Sequence, residues 1–152
     1  AESIAQGRSF WALREAIVEA QQHLGASLKH DISIPVSKIA TCIEQGSALV
    51  TKLIPNARPY TFGHVGDGNI HFNISQPEGM DKEAFIAKRE AVASALHDVV
   101  ISLGGSISAE HGIGRFKKAE FHRTIAPVEL ELMRNIKKLL DPKCIMNPGV
   151  LF

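Results

Sequence analysis

Phe62-Gly63-His64-Val65-Gly66-Asp67-Gly68-Asn69-Ile70-His71-Phe72-Asn73-Ile74 sets an Asp-Gly pair between two strand-like runs. Asp-Gly in that setting predicts a two-residue hairpin turn, because both central positions need positive φ. Counting outward from Asp67 and Gly68 pairs Asn69 with Gly66, Ile70 with Val65 and His71 with His64. Directly opposed residues hold their Cβ atoms roughly 4.5–5.5 Å apart, a spacing at which two imidazoles can share a metal ion. Side chains alternate along a strand. Ile70, Phe72 and Ile74 therefore fall on one face, and His71, Asn73 and Ser75 on the other. The first face suits a core and the second carries chemistry.

On either side of this stretch, helices and strands alternate. Ser9 to Leu24 reads as a helix, with Phe10, Leu13, Ile17, Ala20 and Leu24 as its apolar stripe, Ser9 as N-cap and Gly25 as stop. Lys29 to Ile34 alternates as a strand, Ile32 and Ile34 on one face, Lys29, Asp31 and Ser33 on the other. Pro35 ends it and opens a second helix to about Ile54, with Ile39, Ile43, Val50 and Leu53 inward, before Pro55 stops it. Downstream of the hairpin, Asp81 caps a long helix carrying Phe85, Val92, Leu96, Val99 and Leu103. Gly104-Gly105 ends it. A short strand, Ser106 to Ala109, leads into the glycine-rich Glu110-His111-Gly112-Ile113-Gly114. Pro127 opens a final amphipathic helix through Leu130, Met133, Ile136 and Leu140, and an irregular tail holds Asn147-Pro148-Gly149.

The central order β-α-β-β-α-β predicts a single α+β domain over residues 1–152. Its antiparallel sheet would be ferredoxin-like with helices on one face, flanked by an N-terminal helix and a C-terminal helix and tail. In that arrangement the first and third strands are neighbours, so Lys29 and Asp31 share the open face with His71 and Asn73. Glu110 reaches the histidines only if its loop curls back over that face.

Charge and composition narrow the function classes. With a net charge of +1 and no basic block, the chain has no electrostatic footprint for nucleic acid. No apolar run approaches the ~20 residues of a transmembrane helix, and the N-terminal residues lack the basic-then-apolar pattern expected of a signal peptide. Cys42 and Cys144 read as reduced, partly buried thiols, consistent with a cytoplasmic location.

Two imidazoles and one carboxylate with open positions form the ligand set of a metal that must also hold substrate. His64, His71 and Glu110 supply it, each also readable as an ordinary solvated residue. His111 beside Glu110 adds a base titrating near neutrality. Arg14 and Lys29 could grip a carboxylate, or be plain surface cations. His23, His30, His97 and His122 read as surface or core-edge histidines, and Gly112-Ile113-Gly114 is a weak phosphate-loop pattern.

Gly63 to His71, Ser108 to Gly114 and Asp141-Pro142 through Asn147-Pro148-Gly149, with Trp11 to Glu15 and Lys29 to Pro35, resemble one family. It is the C-terminal domain of FAD-linked oxidases of the vanillyl-alcohol-oxidase type, the branch of D-lactate, D-2-hydroxyglutarate and glycolate dehydrogenases. The resemblance implies that His64, His71 and Glu110 bind a divalent metal, zinc or manganese. It further implies that His111 is the base, that Arg14, Lys29 and Asn73 contact substrate, and that Asn147 lies near the flavin. The implied reaction has the metal chelate a 2-hydroxy acid while His111 takes the hydroxyl proton and hydride passes to FAD.

Family members carry an FAD-binding domain ahead of this region, so the chain is expected to be an excised or truncated part, prone to homodimerise through surface meant for that domain. It should retain no FAD and show no dehydrogenase activity alone. Two other classes compete: a free-standing metal-dependent hydrolase using the same three ligands, and a non-catalytic interaction domain with vestigial histidines.

Overall fold

A computed structural model describes residues 1–21 and 25–152. Three strands, β1 (Ser27–Ser33), β2 (Arg58–Phe62) and β3 (Asn69–Ser75), form an antiparallel sheet in the order β1-β3-β2. Helix α1 (Ile4–Ala20) precedes them, and α2 (Ile39–Leu53) connects β1 to β2. After β3 come α3 (Lys82–Ala87), α4 (Arg89–Ser102), α5 (Lys118–Thr124) and α6 (Pro127–Leu140). The protein is an α+β domain in which the first and third strands are neighbours, as the element order implies.

Strand parity places the core. Leu28 pairs with Ile74, His30 with Phe72 and Ile32 with Ile70, and this row faces α2 and α4. Ile39, Cys42 and Val50 of α2, Phe85 of α3, and Val92, Leu96 and Val100 of α4 complete the buried cluster. Gly46 lets α2 approach the sheet, since a Cβ there would lie 2.9 Å from the Phe72 ring. Asp81 caps α3 as expected, its carboxylate accepting the Ala84 N–H at 2.8 Å. The helix is interrupted at Lys88, however, so α4 begins afresh and buries Val100 rather than Val99.

Several expectations need correction. The fourth strand is a single antiparallel bridge, Ser33 with Ser106, so the four-stranded ferredoxin-like sheet is not formed in full. Beyond Ser106 the ladder stops, because the Ser108 N–H bonds the Ser106 hydroxyl and the Asp31 carbonyl accepts the Lys117 ammonium. The hairpin does not close at Asp67-Gly68. Its ladder starts at Phe62 opposite His71, and residues 63–68 form a longer connection with a 3-10 turn over Val65–Asp67. His64 is thus in the connection, not across from His71. The reason is Gly68, whose carbonyl accepts the Ile34 N–H at 2.9 Å and whose φ is +81°. Tethering the loop to the end of β1 outcompetes the tight turn.

Helix α1 starts at Ile4 with Ser3, not Ser9, as N-cap. Its expected end at Leu24, like His23, lies outside the described residues. Phe10 and Leu13 of its apolar stripe are 54% and 68% exposed, and Ile136 and Leu140 of α6 are exposed as well. Amphipathic spacing says that a face is apolar, not what covers it. Both cysteines are free, but Cys144 is exposed rather than partly buried.

Of the histidines read as surface or core-edge, His30 and His97 are buried; their rings meet edge to face at 5.9 Å. His97 Nδ1 lies 3.0 Å from Glu120, whose carboxylate is held by Arg123, pinning α5 to α4. His122 is partnered too, its Nε2 lying 2.8 Å from the Leu151 carbonyl. No helix among the described residues is long and apolar enough to cross a membrane.

Candidate functional site

The second face of the sheet pairs Lys29 with Asn73 with Tyr60, and Asp31 with His71 with Phe62. Asp31 is only 3% exposed, although it is charged and its neighbours on this face, Lys29 and His71, are exposed and half-buried. Its Oδ2 accepts the consecutive backbone N–H groups of Ala109 (3.2 Å), Glu110 (3.0 Å) and His111 (2.9 Å). This is how the glycine-rich loop curls back over the face. Burial alone would raise the Asp31 pKa. The N–H groups of His111 and Glu110 and the charges of His111 and Lys117 outweigh it and hold the carboxyl below its ordinary value.

Lys117 reinforces the fold-back. Its ammonium donates to the carbonyls of Asp31 (3.2 Å) and Ile107 (2.9 Å), tying β1 to the loop. Burial lowers its pKa, against the pull of Asp31. Nothing in the sequence pattern singled out Lys117, since its partners are main-chain atoms remote in sequence.

Around Asp31 the expected site residues sort into those that meet and those that stay apart. His71 on β3 turns Nδ1 toward Asp31 Oδ1 at 3.7 Å and packs between Phe62 and His111. The His71 and His111 rings stack with centroids 5.8 Å apart and planes 26° apart. His111 Nδ1 lies 3.6 Å from Asp31 Oδ2, while its side chain is 66% exposed. His64 Nδ1 lies 3.1 Å from Glu110 Oε1, and the Asn69 amide donates to the same oxygen. Arg14 of α1 reaches His64 Nε2 at 3.4 Å with its guanidinium over the Trp11 ring. Ligand atoms of Asp31, Glu110 and His111 lie within 4.8 Å of one another, a grouping that shares only Glu110 with the expected trio and leaves out both hairpin histidines.

Lys29 shares the face, two residues from Asp31, and is exposed. Asn73 is buried and its amide donates to Gln21 at the end of α1 (2.9 Å). Asn147 sits in the tail with φ +48°. That tail is held by Asp141, which accepts Lys137 Nζ (2.6 Å) and the N–H groups of Ile145 and Met146 (both 3.0 Å). Among the described residues, no hydrogen bond joins the Asn147 side chain to the imidazole cluster. Gly112 and Gly114 take positive φ in open space, with no neighbour that would demand glycine for close approach.

The donor set of imidazole nitrogens and carboxylate oxygens suits a divalent ion of the zinc or manganese kind. One observation supports the fit: Asp31 Oδ1 is buried with no hydrogen-bond partner among the described residues. An orphaned carboxylate oxygen is costly, and a cation held by its neighbours would offset that cost.

The α+β domain thus brings Asp31, His71 and His111 together over one sheet face, with the His64–Glu110 pair next to them in the connecting loops. The chain belongs to the family FAD linked oxidases, C-terminal domain, whose model matches residues 1–151. It is 39% identical over 151 residues to a D-2-hydroxyglutarate dehydrogenase of Stutzerimonas stutzeri, covering 99% of this chain and 32% of that protein. It is 41% identical over 148 residues to the mitochondrial D-2-hydroxyglutarate dehydrogenase of Arabidopsis thaliana (97% and 25%). With the mitochondrial enzyme of Bos taurus of the same name it shares 37% over 143 residues (93% and 25%). The chain thus spans a third or less of the curated relatives it matches.

Proposed function

We propose that this domain supplies the substrate-holding and proton-accepting half of an FAD-linked 2-hydroxy acid dehydrogenase, with D-2-hydroxyglutarate or a close analogue as substrate. The observation that carries the reading is the fold-back on Asp31, which brings Glu110 to His64 and His111 to His71 in a chain of this family. His64, His71 and Glu110 would hold a divalent metal, zinc or manganese, with Asp31 behind them. When bound, such an ion supplies Lewis-acid polarisation of the hydroxy-acid oxygens. FAD, the cofactor of the family, supplies the acceptor for the hydride.

His111 takes the hydroxyl proton. Its ring is open to solvent and its backbone is fixed from below, so a substrate can reach it without the base moving. Arg14 and Lys29 offer the positive charge that a dicarboxylate needs at its two ends. Arg14 presents a planar fork and Lys29 a mobile point charge. Asn73, braced by Gln21, contributes a fixed amide beside them. The apolar faces of α1 and α6 are surface for the FAD-binding domain rather than for a second copy, because relatives of this chain continue well beyond the part it matches.

The chain, stripped with chelator and titrated with Zn²⁺ or Mn²⁺ by calorimetry, is expected to bind one ion. His64→Ala and Glu110→Gln should each weaken binding at least about 10-fold. Equal binding by both variants would remove the metal from the reading. The purified chain should also be colourless, and a stoichiometric flavin absorbance band would contradict the division of labour.

A further inference from the structure

We propose that Asp31 is the positioning residue of the site: one buried carboxylate holds the Glu110-His111 loop over the sheet, beside His71. The inference rests on the roles given above to His71, Glu110 and His111.

Three consecutive backbone N–H groups converging on one point make an anion-binding concavity. Here a side chain of the chain itself, arriving from β1, occupies it through Oδ2. The same carboxylate turns its other oxygen to His71 Nδ1 at 3.7 Å, and Oδ2 also faces His111 Nδ1 at 3.6 Å. Neither separation is a hydrogen bond; the negative charge of Asp31 faces the Nδ1 side of both rings. Lys117 holds the carbonyl of Asp31 itself, so the strand that bears the carboxylate is fixed as well as the loop that receives it.

Asp31 acts through other residues. Its Oδ2 is already saturated by the loop amides, and the whole side chain is shielded from solvent. Its place in the sequence follows from strand parity, which sets it opposite His71, but its engagement of residues 109–111 is a contact of the folded chain alone.

The test is amide hydrogen exchange on the metal-free ¹⁵N-labelled chain, wild type against Asp31→Asn, which keeps the shape and removes the charge. The amides of Glu110 and His111 are expected to exchange about 10-fold faster in the variant, as charge-assisted bonds become neutral ones. The sheet amides of Ile32, Phe72 and Ile74 should be unchanged. Zn²⁺ affinity of the variant should fall about 10-fold or more. Glu110→Gln is the companion variant: it should lose Zn²⁺ while keeping the loop amides protected. If wild type binds no Zn²⁺ yet Asp31→Asn still frees the loop, the metal reading fails and the positioning role stands. Unchanged protection at Glu110 and His111 overturns the proposal. So does an even loss across the sheet, which would make Asp31 a matter of fold stability alone.

Discussion

Gly68→Ala is expected to lower the unfolding free energy by about 3–5 kcal/mol, among the larger effects of a single substitution. A Cβ at residue 68 would sit 2.1 Å from the Ile34 carbonyl oxygen, and the φ of +81° is one that alanine resists. Relief requires the loop to move off β1, and that breaks the bond from the Ile34 N–H to the Gly68 carbonyl. The loop carries His64, so metal affinity should fall with stability. Gly66→Ala is the control: nothing lies within 4 Å of a Cβ there. It should change stability by no more than about 0.5 kcal/mol. Urea melts of the two variants decide the matter, and equal shifts would show that close approach at Gly68 is not the cause.

A second large effect is expected from acidification. Burial, with the nearby charges of His97, Lys117 and Arg89, pushes the His30 pKa down from 6.5 to about 3, and burial lowers that of His97 as well. An imidazole held neutral in the fold takes up a proton first when the chain unfolds. Stability is therefore complete above the unfolded value near 6.5 and is lost as pH falls toward the folded value. For His30 alone the loss between pH 7 and 4.5 is roughly 2–3 kcal/mol. Asp31 and Glu120 act in a lower window. Their carboxyl groups lie below their ordinary values of 3.8 and 4.5, so the stability they contribute is present above those values and disappears beneath them. Glu120 owes its shift first to the Arg123 guanidinium. Urea melts at pH 7 and pH 4.5 should show the loss in wild type and a much smaller one in His30→Gln. An unchanged pH slope in the variant would acquit His30.

The chemistry of the open face was readable from alternation. Period-2 spacing separates Ile70, Phe72 and Ile74 from His71 and Asn73, and does the same for Leu28 and Ile32 against Lys29 and Asp31. A covered sheet face permits no other parity, because a slip of one residue would send every isoleucine into water. The hairpin register was misjudged despite a strong local signal. Turn propensity at Asp-Gly is worth little beside a tether to a neighbouring strand, and no local pattern announces that Gly68 will bind Ile34. The missing fourth strand has a similar origin, since the Ser108 N–H bonds the Ser106 hydroxyl and the Asp31 carbonyl accepts Lys117, the two groups that the next rung would have joined. The stripes of α1 and α6 were recognised as apolar, but that the domain itself leaves them exposed was not legible, because helical periodicity is silent about the partner.

What the sequence by itself determined is therefore one-dimensional: the α+β order, the two faces of the strands, the cap at Asp81, and the family likeness carried by His64, His71, Glu110 and His111. Only the tertiary structure decided that a buried aspartate gathers those residues, that His64 sits in a tethered loop, and that His30 and His97 meet in the core. The physical reason is range. Periodicity and capping act within a turn or a strand, whereas Asp31 and the amides of residues 109–111 become neighbours only once the loop folds back over the sheet and excludes water from the carboxylate.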